Sequence, residues 1–148
     1  LRPADLDELG LPDALRTLCD AQARRSGVSC RVEAGPGTAR LGADVDIAVY
    51  RIAQEAIGNA LRHARPERIA IELRTDGRRV ELNVDDDGAG FDPTRRTRGL
   101  GLIGIAERAA ALGGALQAIS APGRGCRIAV QLPLRAHGPL RAAPEATP

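Results

Sequence analysis

At 148 residues and 43% hydrophobic content, the chain suffices for one domain around a single core. Aromatics make up only 1%, so Leu, Ile, Val and Ala must build that core, and a formal charge of +2 gives no electrostatic case for a nucleic-acid partner. Three cysteines without a C-x-x-C pair argue against a disulfide framework or a zinc site and suit a reducing, cytoplasmic compartment. No apolar run approaches the ~20 residues of a membrane-spanning helix, no signal peptide is present, and this stretch is expected to make no membrane contact. Every Lys/Arg position is Arg, Met is absent and the first residue is Leu, which reads as a piece of a longer protein.

Residues 1–11, LRPADLDELGL, are polar and Leu-punctuated and read as a lead-in. Pro12 suits a first helical turn, and Leu15, Leu18 and Cys19 carry a helix to about Arg25, where Ser26-Gly27 stops it. Val28, Cys30 and Val32 alternate with polar residues as a short strand, and AGPGTARLG follows as a loop. Residues 44–64, DVDIAVYRIAQEAIGNALRHA, are the longest helical pattern. Val49, Ala53, Ala56, Ile57, Ala60 and Leu61 form its apolar face, and Pro66 sets its end by disfavouring the helical conformation at Arg65. Glu55, Asn59 and His63, at i, i+4 and i+8, make a polar stripe along the rim of that face. Alone, such a stripe is most often a solvated helix face.

Alternating runs at 69–73 and 80–84 flank Asp76-Gly77, the strongest short hairpin signal. The second run leads directly into DDDGAGFD, and residues 92–101 form a polar loop. Residues 102–112 suit a helix with Ile105, Ala109 and Leu112 inward and Gly113-Gly114 closing it. Residues 115–120 and 127–132 suit two last strands around APGRG, and 135–148 an aperiodic, disordered tail. Helices separated by antiparallel hairpins argue for a two-layer α/β sandwich, with a mixed, mostly antiparallel sheet backed by helices on one face.

Three glycine clusters carry the chemistry. In Asp86-Asp87-Gly88-Ala89-Gly90 the spacing excludes an EF-hand calcium loop, whereas an Asp-Gly turn needs no ligand at all. The functional reading aims Asp86 into an apolar pocket, where it accepts from an exocyclic amine, while Gly88 and Gly90 let a flat ring approach the backbone. Such an acceptor favours adenine over guanine. Gly99-Leu100-Gly101-Leu102-Ile103-Gly104 matches G-x-G-x-x-G, but a dinucleotide fold fails for want of a preceding strand and a following acid. Its helix-opening N–H groups could cradle phosphates, aided by Arg95, Arg96 and Arg98, although three Arg in a polar loop are usually just solvated. Gly123-Arg124-Gly125-Cys126 is an ordinary tight turn on its own. Beside these, the helix stripe gains meaning. Asn59 offers a hard oxygen for Mg²⁺ shared with ATP phosphates, Glu55 could bind a metal-held water or act as a base, and Arg62 could reach a phosphate. His63 stays outside the catalytic set.

The runs RIAQEAIGNALRHA, DDDGAGFD, GLGLIGIAERAAALGG and APGRGCRIAVQLPL, in that order, resemble the ATP-binding domain of two-component sensor histidine kinases, most closely the nitrate and desaturase sensor subgroup. The resemblance covers about residues 10–134 and implies a Bergerat-type fold, with residues 12–134 as the catalytic domain and 1–11 as the connection from a dimerisation domain. It implies Asn59 on Mg²⁺ with Glu55 beside it, Arg62 facing phosphate and Asp86 on the adenine amine next to Gly88 and Gly90. Gly99, Leu100, Gly101 and Leu102 would form the lid and phosphate loop, with Gly125 and Cys126 in the last glycine motif. Cys126 stands where the family usually has Thr. The implied partners are the chain's own dimerisation domain, which carries the phosphoacceptor histidine, and a response regulator, with a homodimer for the whole protein. Neither His63 nor His137 lies in an acceptor motif. The rivals are an anti-sigma-factor serine kinase on the same fold and a degenerate ATP-sensing module.

Overall fold

In the computed structural model, which describes residues 4–91 and 102–134, four helices cover one face of a five-stranded sheet. The elements are α1 (Ala4–Leu9), α2 (Leu11–Ser26), β1 (Ser29–Ala34), α3 (Ala43–His63), β2 (Arg68–Thr75), β3 (Arg79–Asp86), α4 (Leu102–Ala111), β4 (Ala115–Ser120) and β5 (Cys126–Pro133). The strand order is β1-β2-β3-β5-β4; β1 pairs parallel with β2 and the other neighbours are antiparallel. This is the mixed, mostly antiparallel sandwich expected from the pattern.

One difference lies at the start. The lead-in is helical from Ala4 to Leu9, and Leu6 and Leu11 are buried in the common core. Gly10, with φ 85, breaks the path between the two helices, and Leu11 N–H donates to the Ala39 carbonyl at 3.1 Å. Leu6 and Leu11 therefore pack instead of merely punctuating the segment, while Leu9 stays exposed.

The strands alternate as period-two burial requires. Ile69, Ile71 and Leu73 of β2, Val80, Leu82 and Val84 of β3, and Ile128, Val130 and Leu132 of β5 face the helices and are almost wholly buried. The opposite face is polar, and on it Arg127 makes a bidentate pair with Asp85 at 2.7 and 2.9 Å. In the Asp76-Gly77 turn, Gly77 sits at φ 90 and the Asp76 carboxylate accepts from the N–H groups of Arg78 and Arg79. Those two donors hold its pKa below the ordinary carboxylate value.

Helix α3 is the spine of the helical layer. Its buried surface is wider than one stripe: besides the expected apolar residues it includes Val45, Tyr50 and Ile52, while Leu61 is only half-buried. The extra burial arises because α3 lies on β3 and is flanked by α2 and α4, so three directions are apolar. The helix ends as Pro66 demands. Ala64 is its C-cap, and Arg65 turns the chain away with φ 50.

Candidate functional site: an apolar cleft closed by two acidic-amide anchors

The cleft forms where α3 carries Ala56, Ala60 and Ala64, one turn apart, past the ends of β3 and β5. Small side chains at successive turns leave a flat space that larger residues would fill. The cavity measures about 160 Å³ and is lined by those alanines, Asn59, His63, Asp86, Gly90, Phe91, Leu102, Cys126 and Ile128. Its wall is mostly apolar, with Asp86 and Asn59 as the chemically distinct groups. That composition suits a planar, partly polar ring.

Three adjacent carboxylates enter this region and have three different fates. Asp85 faces the open side of the sheet and binds Arg127. Asp87 accepts from the N–H groups of Glu67 and Arg68 at 2.8 and 2.9 Å, tying the end of β3 to the start of β2, and these donors lower its pKa. Asp86 lies between them and faces the cavity. Burial pushes its pKa up; the Gly88 N–H, which donates to Oδ1 at 2.8 Å, opposes this, and the charges of Asp87 and Asp85 reinforce it. With Oδ1 occupied by Gly88, Oδ2 remains for a ligand.

The glycines around Asp86 have a packing role as well as the one expected of them. A Cβ on Gly88 would stand 2.3 Å from the Ala64 carbonyl oxygen, and the neighbouring Ala89 N–H donates to that oxygen at 2.8 Å. A Cβ on Gly90, at φ 68, would stand 2.2 Å from the Ala121 oxygen. The loop is thus clamped between the end of α3 and the β4–β5 turn. Gly90 lines the cavity; Gly88 and Gly125 support it from behind.

On α3, Asn59 is 8% exposed. Its Oδ1 accepts from the Arg62 guanidinium at 2.9 Å, and its Nδ2 is buried without a hydrogen-bond partner among the described residues. A buried amide group left in that state costs about 1–3 kcal/mol until something pairs with it. A phosphate oxygen is an acceptor of the kind this N–H group lacks, and Oδ1 keeps a second lone pair beyond the one that accepts from Arg62. Among the described residues no group of three or more His, Cys, Asp or Glu could form an all-protein metal cage. A single hard oxygen beside the cleft fits the mode in which Mg²⁺ takes one or two protein ligands and otherwise binds substrate phosphates.

Glu55 does not reach the cavity wall. Its carboxylate rests against the first turn of α4, where a Cβ on Gly104 would come within 3.1 Å of Oε2, and Arg108 Nε is 4.0 Å from Oε1. Arg62 lies over Gly58, the one glycine inside α3, and is exposed. His63 lines the mouth of the cavity although it is largely exposed. Gly99, Leu100 and Gly101, with Arg95, Arg96 and Arg98, lie outside the described residues; Leu102 opens α4 at the cavity edge.

Two residues go unnoticed in the pattern. Phe91, the chain's single Phe, lines the cavity, and its N–H donates to Ser120 Oγ at 2.9 Å. Ser120 in turn donates to the Gly125 carbonyl at 2.7 Å, so one hydroxyl joins the Asp86 loop to the last turn. The uniqueness of Phe91 was the available signal for it; Ser120 had none. Cys126 pairs in register with both Asp86 and Ser120. Burial and the Asp86 charge push its thiol up to about 11. Alkylation of Cys126 by iodoacetamide is therefore expected to be slow at pH 8 and to rise through a midpoint near 11. A rate profile already flat at pH 9 would show an ordinary, exposed thiol.

Residues 44–136 match the family described as histidine kinase-, DNA gyrase B- and HSP90-like ATPase. The sensor histidine kinase MctS of Rhizobium johnstonii is 38% identical over 150 residues, covering 99% of this chain and 32% of that protein. The sensor histidine kinase ComP of Bacillus subtilis is 36% identical over 137 residues, covering 90% and 18% respectively. The chain thus spans about a third or less of these relatives. Among solved structures, the ATP binding domain of PrrB from Mycobacterium tuberculosis superposes with a TM-score of 0.67 at 25% identity, over 86% of this chain and 96% of that one. The blue-light activated histidine kinase of Erythrobacter litoralis EL346 shares the fold, with a TM-score of 0.69 at 22% identity over 88% of this chain and 43% of that one. A family match over most of the chain, with sensor-kinase identity along nearly all of it, makes this an ATP-binding domain of the histidine kinase-, DNA gyrase B- and HSP90-like ATPase family.

Proposed function

We propose that the chain binds Mg-ATP in the alanine-floored cleft and presents its γ-phosphate to a histidine on a separate dimerisation domain, for relay to a response regulator. The observation that carries the reading is the convergence of half-buried Asp86 from β3 and the orphaned Asn59 amide from α3 on one apolar cavity. Asp86 Oδ2 would accept from the adenine amine, with Phe91, Leu102 and Ile128 against the ring. The phosphates would then run toward Asn59 and the N-terminus of α4. Asn59 is the residue that would hold magnesium; Glu55 would join it on leaving Gly104 and Arg108, as a ligand to metal-held water or as a base. Held there, magnesium would supply charge neutralisation on the phosphate oxygens. Arg62, released from Asn59, adds a second positive group, and the chain's own contribution is positioning and charge stabilisation for in-line transfer. Gly99, Leu100 and Gly101 would cover the phosphates, and Gly125 and Cys126 would close the adenine end. Residues 1–11 would carry the link to the dimerisation domain, and the whole protein would act as a homodimer.

The test is transfer. With Mg-ATP and a histidine-bearing dimerisation fragment, the chain is expected to give acid-labile phosphate on that fragment. Acid-stable phosphoserine on an anti-anti-sigma protein, with none on the histidine fragment, would overturn the proposal. A separate measurement addresses the metal. A fluorescent ATP analogue is expected to bind about tenfold tighter with magnesium than with EDTA, and Asn59→Ala to lose that difference. A variant that keeps the full magnesium dependence would remove Asn59 from the metal site.

A further inference from the structure

Two thiols that the nucleotide cleft does not use meet between α2 and β1. From Gly27 back to Cys19 the chain runs eight helical residues, about 12 Å of rise. Forward to Cys30 it runs three extended residues, about 10 Å. Gly27, in the left-handed conformation at φ 78, reverses the chain between these arms, so the two cysteines arrive level. Cys30 points to the inner face of the edge strand, where α2 packs, and the two sulfurs stand 2.6 Å apart with both thiols free.

The pair is chemically unequal. Cys19 is 1% exposed, whereas Cys30 is only half-buried. In the neutral pair the Cys30 thiol donates to Cys19 Sγ; once one proton leaves, the remaining one is better held on the deeper sulfur, because the negative charge is better tolerated on the more accessible one. Accordingly the hydrogen bond from Cys19 draws the Cys30 pKa down, and the same bond, with burial, drives Cys19 far up. A nucleophilic thiolate next to a resolving thiol is the arrangement on which reversible thiol oxidation depends.

We propose that Cys19 and Cys30 form a peroxide-reactive dithiol that closes to an intramolecular disulfide, fastening α2 to the edge strand β1. The Cys30 thiolate attacks the peroxide O–O bond, giving a sulfenic acid and hydroxide. The Cys19 sulfur then displaces the sulfenic hydroxyl. The sum is two thiols and one hydrogen peroxide giving one disulfide and two waters, with the sulfur pair oxidised by two electrons and the peroxide reduced by two. Among the described residues strand β1 is paired only to β2, so the new bond adds a covalent tie at the edge of the sheet.

The full chain, reduced and then exposed to near-stoichiometric hydrogen peroxide, is expected to lose two hydrogens in intact mass. Tryptic digestion without reductant should yield the peptides 17–24 and 26–31 as one linked species, which dithiothreitol separates. Cys126, kept protonated, should remain open to alkylation after unfolding. The oxidised chain should melt about 5 °C or more above the reduced one, since the bond closes a short loop. In Cys19→Ser, Cys30 should instead give a sulfenic acid captured by dimedone, and in Cys30→Ser, Cys19 should stay reduced. Sulfinic or sulfonic acid on Cys30 of the parent chain, both thiols still alkylatable, or an oxidised form that melts no higher would each overturn the proposal.

Discussion

Asp86→Asn is expected to weaken binding of a fluorescent ATP analogue by about 100-fold or more while leaving the nucleotide-free protein at least as stable as the parent. The Gly88 N–H fixes one side of the side chain, so Asn keeps its carbonyl oxygen there and turns its NH₂ toward the cavity. That places a donor against the adenine amine, itself a donor. Stability moves the other way because of the pKa shift. Burial raises the Asp86 pKa, so its neutral form is the one that favours folding, a contribution lost as pH rises through the raised value. At neutral pH the ionised group costs stability, and a neutral amide lifts that cost. Titration of the analogue and thermal melting without nucleotide read the two effects separately. Loss of affinity with a parallel loss of stability would mean that Asp86 holds the fold and not the ligand. In the parent chain, affinity should fall on acidification at a pH above the ordinary Asp value, because the pKa is raised.

Most of the fold was legible because its signals are local. Asp76-Gly77 between alternating runs fixed one hairpin, and the 3.6-residue period with Pro66 fixed the extent of α3 within a residue at each end. The motif that reads Asp86 out of three adjacent acids was also local, since the residue before a turn into glycines differs from its neighbours. What remained hidden depends on distant pairing. The parallel pairing of the edge strand β1 and the burial of Leu6 follow from how the first helices dock, which no window along the chain contains. At the site, a helical wheel puts Glu55 and Asn59 on one stripe, but the Glu55 carboxylate lies against the Gly104 turn of α4, 4.0 Å from Arg108 Nε, and not in the cavity wall. Likewise the need for glycine at 88 and 90 came from the carbonyls of Ala64 and Ala121, whose approach belongs to the tertiary structure. A cleft assembled from the ends of separate elements is expected to show this division. Its anchors are coded in motifs, and its spacing is coded in packing.

The second large effect tests that packing. Gly125 sits at φ 74, and a Cβ there would stand 2.2 Å from the Asp86 carbonyl oxygen and 3.2 Å from the Asp87 Cα. Both are backbone atoms of the neighbouring strand and its exit, so neither can swing aside as a long side chain would. The left-handed backbone alone costs a non-glycine residue about 1–2 kcal/mol. Relieving the clash requires the last register pair of β3 and β5, Asp86 with Cys126, to separate. Together these should make Gly125→Ala about 2–4 kcal/mol less stable, lowering Tm by about 5–15 °C. Affinity for the ATP analogue should drop about tenfold or more at temperatures where the variant is still folded, because the strand that moves carries Asp86. Gly123 supplies the control: it has a similar φ of 78, but a Cβ there meets nothing within 4 Å. Gly123→Ala should therefore show only the backbone cost, about 1 kcal/mol, and near-parent affinity. Equal losses in the two variants would mean that left-handed strain, and not the close approach to Asp86, is what glycine relieves at position 125.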